Sequence, residues 1–387
     1  MSNFYFVEPQ DVLMLRGNKS FGDPGEHGEA VMPPWPSLFA GAFRAALLGQ
    51  DALRLARFTS GERLEGALGA VLGTPATPGS FRIDWVSLAR RGAGDLAPTC
   101  VVSLPADLLA FSDDALPKLE ALTPTALPGI GSASSELPLT AHLRRRKADK
   151  PDPGRRLTST GLAAYLQGRL PEAGSATVAA VDLYKREPRL GIALDTGART
   201  AADGAIYTTE AIAFTPNAGF LIGIEGLQDQ LPERGLLRLG GDGRSASYTR
   251  IDFTAPAAPL DSIRRDHRFR LVLATHGLFT QGALPDRVTR RDDGSHRLAG
   301  DGFSARLACA AVPRHEVVSG WDIAQWQPKP AQRVAPAGSV YWFDQFEGEA
   351  DKLADWVAAG LWGDNPDAQR RAEGFNRAWL AAWPHTV

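Results

Sequence analysis

Gly240, Gly241 and Gly243 lead into Arg244 in the run GGDGR, with Arg238 just before it and Arg250 just after. Successive glycines let main-chain amides converge on an oxyanion and let a phosphate backbone come close. Guanidinium groups on either side would add charge-assisted hydrogen bonds. The chemistry on offer is anion binding. A tight hairpin calls for the same glycines, so both readings stand. No Gly-Lys-Ser or Gly-Lys-Thr ends the run, and nucleotide hydrolysis by a Walker loop is not supported.

Two further groups of cations could meet nucleic acid. Arg16 and Lys19 lie in the loop sequence RGNKSFGDPGEHGEA, and Arg44 lies in VMPPWPSLFAGAFRAALLG. Phe21 and Trp35 are interleaved with them, and single-stranded RNA is recognised by such mixtures: cations for phosphate, rings for bases. Core packing explains Trp35 equally well. Arg44 interrupts an otherwise uncharged stretch, so its guanidinium must reach water along a groove or meet an anion or carboxylate. From Thr140 to Arg156 there are seven Lys or Arg, among them Arg144, Arg145, Arg146 and Lys147, against Asp149 and Asp152. A solvated loop and a nucleic-acid contact both account for that run. The histidines, at 27, 142, 267, 276, 296, 315 and 385, show no HxxxH or HExxH spacing, and Cys100 and Cys309 are far apart in sequence. No metal site and no cofactor are expected. His27 could act as a general base in RNA cleavage by 2′-hydroxyl attack, or be a surface histidine. No GxSxG elbow is present.

Elements must position these residues. Residues 4–15 are aromatic and β-branched enough for a strand, broken at Pro9. The prolines at 33, 34 and 36 favour extended backbone, with Ser37 as the N-cap of a helix from Leu38 that packs through Leu38, Ala42, Ala45 and Leu48. Residues 81–91 and 99–105 read as strands, giving the order β, α, β, β. Residues 112–156, rich in proline and glycine, read as a long exposed insertion, partly disordered, and 155–171 as a helix with Ser and Thr capping options. Strands are expected at 190–195, and at 206–216 and 218–227, the latter two forming a hairpin about Pro216-Asn217. Residues 254–262 resemble a linker. Beyond it, strands at 303–312, 318–326 and 338–346 and a helix at 349–359 complete a second sheet and its cover.

At 387 residues and 44% hydrophobic composition the chain suits two packed domains. With 42 basic and 44 acidic side chains the formal net charge is −2, so an anionic partner must be held by local patches rather than by a protein-wide field. Two cysteines, no apparent signal peptide and no long apolar run lead to the expectation of a reducing, cytoplasmic protein with no membrane contact.

Several blocks taken together resemble a known family: RGNKSFG after the first strand, PPWPSLFAGAFRAALLG, LTSTGLAAYLQG, LRLGGDGRSA and APAGSVYWF, in that order over nearly the whole chain. The pattern is similar to the third-subunit family of the Cmr complex, the RAMP-superfamily proteins (Cas5-like group) of type III-B CRISPR effectors in antiviral defence. The resemblance implies an α+β fold of two ferredoxin-like (RRM-like) RAMP domains with antiparallel sheets and long loop insertions. It implies no catalytic centre. It also implies a ribonucleoprotein in which the chain holds the repeat-derived 5′ tag of the guide CRISPR RNA and docks a Cas10-type large subunit and a Cas7-like backbone subunit. Domains are expected at 1–255, with a basic insertion at about 112–177, and at 256–387. The candidate RNA-binding set is Arg16, Lys19, Ser37, Arg44, Arg144, Arg145, Arg146, Gly240, Gly241, Gly243, Arg244 and Arg250. GFN at 374–376 departs from the Gly-Phe-Gly expected there, and leaves open whether that loop touches RNA. The enzymatic alternative is a RAMP endoribonuclease that processes repeat RNA with a loop histidine.

Overall fold

The computed structural model of the protein describes residues 2–15, 17, 27–49, 51–92, 94, 97–113, 116–126, 136–145, 149–195, 197–198, 200–322 and 324–384. The chain groups into two compact units, residues 1–98, 180–252 and 318–331 forming the first and 99–179, 253–317 and 332–387 the second. Residues 112–177, expected as an insertion of the N-terminal domain, therefore group with the second unit.

In the first unit five strands run antiparallel in the order Arg82–Arg90, Ala218–Glu225, Asn3–Pro9, Ser245–Ile251, Arg234–Arg238. Asn3–Pro9 and Arg82–Arg90 are both antiparallel to the strand between them, hence parallel to each other. The helix Pro36–Leu48 makes the crossover that this geometry requires. The helix begins two residues earlier than the sequence suggested. Trp35 is the N-cap through its backbone and Pro36 occupies the first turn, where a missing N–H costs nothing. Ser37 lies inside the helix, half-buried, and does not cap it. Of the expected packing residues Ala42 and Leu48 are buried, while Leu38 is half-buried and Ala45 exposed; the rest of the buried face is Phe39, Ala40, Phe43 and Leu47. Aromatic size decided this: Phe43 meets Tyr5 at 5.5 Å and Tyr248 at 5.7 Å, and Phe39 meets Phe220 at 4.9 Å. Each such side chain contributes about 1.5–3 kcal/mol on burial, more than an alanine can.

Residues 206–216 and 218–227 do not pair as a hairpin. Thr200–Phe214 pairs along its length with Tyr184–Asp195 in a two-stranded ribbon, while Ala218–Glu225 enters the main sheet. Trp321–Asp322 and Gln327–Pro328 form a small hairpin that groups with the first unit rather than adding to the second sheet.

The second unit contains the sheet Val288–Arg290, His296–Gly300, Phe303–Ala311, Val340–Gly348, Phe269–Leu273, Ala378–Ala382, in that order. The last four repeat the neighbour pattern of the first unit, but here the helix, Ala350–Ala359, spans the second crossover instead of the first. Phe269 stacks on Phe343 at 5.0 Å, and Leu353, Val357 and Leu380 close this core. The described part of 112–156 carries strands that its composition did not suggest: Leu108–Asp113 pairs with Leu116–Ala121, and Thr123–Thr125 with Thr140–His142. Below them a buried polar knot fixes the unit. Arg270 meets Asp107 at 2.5 Å, donates to the carbonyls of Ala382 and Tyr165 at 3.0 and 3.1 Å, and lies over the Tyr165 ring, whose hydroxyl donates to Asp107 at 2.6 Å. The architecture is α+β with antiparallel sheets, as expected. No described helix is long and apolar enough to cross a membrane.

Candidate nucleic-acid interface

The glycine-rich turn joins the edge strand Arg234–Arg238 to Ser245–Ile251. Backbone φ is positive at Gly240 (80°), Asp242 (58°) and Gly243 (66°). Gly240 has a second reason to lack a side chain, because a Cβ there would meet the Met14 carbonyl oxygen at 2.8 Å. Three amides of the turn already have partners: Leu239 N–H donates to Arg244 O at 2.8 Å, Gly241 N–H to Met14 O at 2.8 Å and Arg244 N–H to Gly241 O at 3.3 Å. An anion would have to be met by the amides of Gly240 and Gly243 and by nearby guanidinium groups.

Those groups are differently engaged. Arg244 is ion-paired with Asp11. The Asp11 carboxyl is held below the usual carboxylate range, first by the Val12 amide that donates to it at 2.7 Å and then by Arg244. Arg250 is exposed and donates to the Asn3 side-chain oxygen at 3.0 Å. Arg238 is exposed, and so is Arg234, which shares its face of the edge strand with the exposed Leu236 between them. Sequence reasoning singled out neither Asp11 nor Arg234. The run RGLLR shows no polar–apolar alternation that would have marked Arg234, and nothing local links Asp11 to an arginine so distant in sequence.

Next to the turn, residues 10–15 run between two supports. Gln10 N–H donates to Ser245 O at 3.0 Å, and Leu13 exchanges hydrogen bonds with Ile212 of the ribbon at 2.9 and 2.8 Å. Val31 N–H donates to Leu15 O at 3.0 Å, while Glu210 accepts from the Ala30 amide at 3.0 Å and from Arg186 at 2.7 Å. His27 and Gly28 pair in parallel with Thr208 and Thr209. The segment between these anchors carries Arg16 and Lys19, which lie outside the described residues, as does the side chain of His27.

Arg44 is half-buried, with its guanidinium 5.2 Å from the centroid of the buried Phe81 ring, a cation–π contact. In the second unit Arg144 is exposed, whereas Arg145 is stacked on Phe111 at 3.6 Å and paired with Glu120 at 3.4 Å and Asp149 at 3.8 Å. Arg146 lies outside the described residues. Of the described candidates, the glycines and Arg244 lie at the turn, Arg250 lies at the other end of Ser245–Ile251, Ser37 and Arg44 are on the helix, and Arg144 and Arg145 are in the second unit. Asn376 takes the left-handed conformation expected of a glycine, φ 60°, and is fully buried. Its side chain accepts from Leu278 N–H at 2.5 Å and donates to Leu278 O and Leu361 O at 3.1 and 3.4 Å, so it holds protein backbone. Among the described residues no group of three or more His, Cys, Asp or Glu could hold a metal ion.

The model of the family described as CRISPR-associated protein (Cas_Cmr3) matches residues 5–383. Among solved structures, chains from the type III-B Cmr-beta complex bound to cognate target RNA, with and without AMPPnP, are similar at 13% identity. Each alignment covers 97% of this chain and 95% or 96% of the other, with TM-scores of 0.48 and 0.49. No curated protein matches.

Proposed function

Because this chain belongs to the CRISPR-associated Cas_Cmr3 family, we propose that it is a non-catalytic subunit of a type III-B Cmr effector that binds the 5′ repeat-derived tag of the guide RNA and docks a Cas10-type subunit and a Cas7-like backbone subunit. The observation that carries the RNA-binding part is the glycine-rich turn, with Arg238 and Arg244 at it, Arg234 on the strand before it and Arg250 at the far end of the strand after it. Glycine at 240 and 243 keeps the turn surface free of side chains, so a sugar-phosphate backbone can come close. The exposed guanidinium groups then meet phosphate oxygens, and Arg244 exchanges the Asp11 carboxylate for a phosphate of like charge. Arg16, Lys19, Ser37 and Arg44 extend the surface along the N-terminal segment, and Arg144, Arg145 and Arg146 supply a separate contact from the second unit.

The test is a titration of purified protein with tag RNA, followed by fluorescence anisotropy at several salt concentrations. Arg244→Ala and Arg250→Ala should each weaken binding and make the plot of log K against log salt shallower by about 0.7. Equal affinity of the variants and the wild type would remove the turn from the RNA surface. Metal-independent cleavage of repeat RNA, lost in His27→Ala, would replace the non-catalytic reading by an endoribonuclease.

A further inference from the structure

The hairpin at 318–331 exposes the two most conspicuous apolar side chains on the described surface. Trp321 is 51% and Trp326 76% exposed, and their rings meet edge to face at 5.9 Å and 85°. The display is built. Trp321 and Asp322 pair with Pro328 and Gln327, Lys329 N–H donates to Gly320 O at 2.8 Å, and the Ser319 hydroxyl donates to Lys329 O at 2.7 Å. The Asp322 carboxylate accepts from the amides of Ala324 and Gln325 at 2.9 and 3.1 Å, which turns the chain so that Trp326 sits at φ 52°. A bulky residue rarely adopts that conformation, and the turn holds it there with the indole directed outward.

We infer that this tryptophan pair is an anchor for a neighbouring protein subunit, seated in an apolar cleft that offers a carbonyl or carboxylate oxygen to an indole N–H. The inference rests on the reading of the chain as a subunit of an assembly. Three considerations select this occupant. Tryptophan concentrates binding energy at protein interfaces, because a rigid ring buries a large area at small entropic cost. Second, the hairpin's charged residues are Asp322 and Lys329, which cancel, and Asp322 is committed to its turn. Stacking on single-stranded nucleic acid requires cations for the phosphates, and this surface does not provide them. Third, two partly exposed indoles offer roughly 300 Å², well short of the ~800 Å² per partner of a stable interface. The pair therefore cannot by itself hold a second copy of this chain. It can anchor a protein that other surfaces already hold.

Hydroxyl-radical footprinting read by mass spectrometry tests this on the isolated chain and on the assembled ribonucleoprotein. Both indoles should oxidise in the isolated chain at every concentration, and that oxidation should be lost in the complex. In parallel, ultraviolet irradiation of the complex should leave no nucleotide adduct on Trp321 or Trp326. Undiminished oxidation in the complex overturns the proposal. Nucleotide adducts would assign the pair to RNA, and protection of the isolated chain that disappears on dilution would assign it to self-association. A Trp321→Ala/Trp326→Ala variant should keep the wild-type thermal midpoint and affinity for tag RNA but leave the complex about tenfold faster or more; wild-type dissociation counts against the anchor. Trp326→Phe should recover part of the loss. If the wild-type chain enters no RNA-containing assembly, the functional reading fails and the anchor with it. An assembly in which both indoles still oxidise removes the anchor alone.

Discussion

Arg244 faces a carboxylate, and this changes what its substitution partner should do. If Arg244 meets RNA as proposed, Asp11 occupies the position that a phosphate would take and competes with it for the guanidinium. Asp11→Asn should therefore bind tag RNA a few-fold more tightly and gain salt dependence, whereas Arg244→Ala loses both; anisotropy titrations distinguish the two. Unchanged affinity in Asp11→Asn would mean that Arg244 does not reach the RNA. Asn376 shows the opposite relation between residue type and role. The sequence GFN suggested a departure from an RNA-contacting loop, but burial and three hydrogen bonds to the backbone at 278 and 361 make Asn376 a structural bracket. Asn376→Ala loses those bonds and strains a left-handed residue, at a cost of about 2–4 kcal/mol. Asn376→Gly loses the bonds alone and should melt higher than the alanine variant. A thermal unfolding series in that order checks the assignment. At this scale the arginines and glycines were legible in the sequence because their chemistry is intrinsic. Asp11, Asn376 and the Arg145–Phe111 contact were not, because each is defined by a partner remote in sequence.

Turns and helix ends carry the next level of explanation. Gly240 and Gly243 share a positive φ but differ in surroundings: a Cβ at 240 meets the Met14 carbonyl, while a Cβ at 243 meets open space. Gly243→Ala should cost about 1 kcal/mol, the left-handed penalty alone. Gly240→Ala should cost more and displace residues 10–15, weakening RNA binding as well as lowering the thermal midpoint. Equal effects from both would mean that the turn moves freely. The element that sequence patterning missed most completely is the hairpin at 108–121. Proline and glycine frequency argued for an open insertion, yet Asp107, just before it, is held by Arg270 and Tyr165 in the buried knot of the second unit. Asp107→Ala leaves Arg270 charged and unpaired in the interior, which destabilises by about 3–5 kcal/mol. Denaturant unfolding followed by near-ultraviolet circular dichroism would detect it, and a loss below about 1 kcal/mol would contradict so central a role. The helix Pro36–Leu48 was found within two residues, and Ala42 and Leu48 on its buried face with it, but Phe39 and Phe43 were missed because alanine spacing was weighed like phenylalanine burial.

At the scale of the whole molecule, the two units share one strand-neighbour pattern and each retains a different crossover helix, Pro36–Leu48 in the first and Ala350–Ala359 in the second. The first crossover of the second unit carries strands at 288–300, and the second crossover of the first unit carries Arg234–Arg238 and the glycine-rich turn. The edge strand exposes Arg234, Leu236 and Arg238 on the sheet face opposite the one where Leu237, Ala246 and Tyr248 pack toward the helix. A basic strip can therefore exist on a chain whose 42 cationic and 44 acidic residues nearly cancel. That balance fixes the size of the electrostatic response. A protein-wide positive field would give a steep salt dependence, whereas three phosphate contacts from Arg238, Arg244 and Arg250 to a single strand give a slope of log K on log salt of about −2. Removing all three arginines should make the dependence shallower by about 2 while the fold is retained, since each is substantially exposed or bonded at the surface. Any part of the wild-type slope steeper than that belongs to Arg16, Lys19, Arg44 and the arginines of the second unit. A steep slope that survives the triple substitution would exclude the glycine-rich turn as the principal RNA surface.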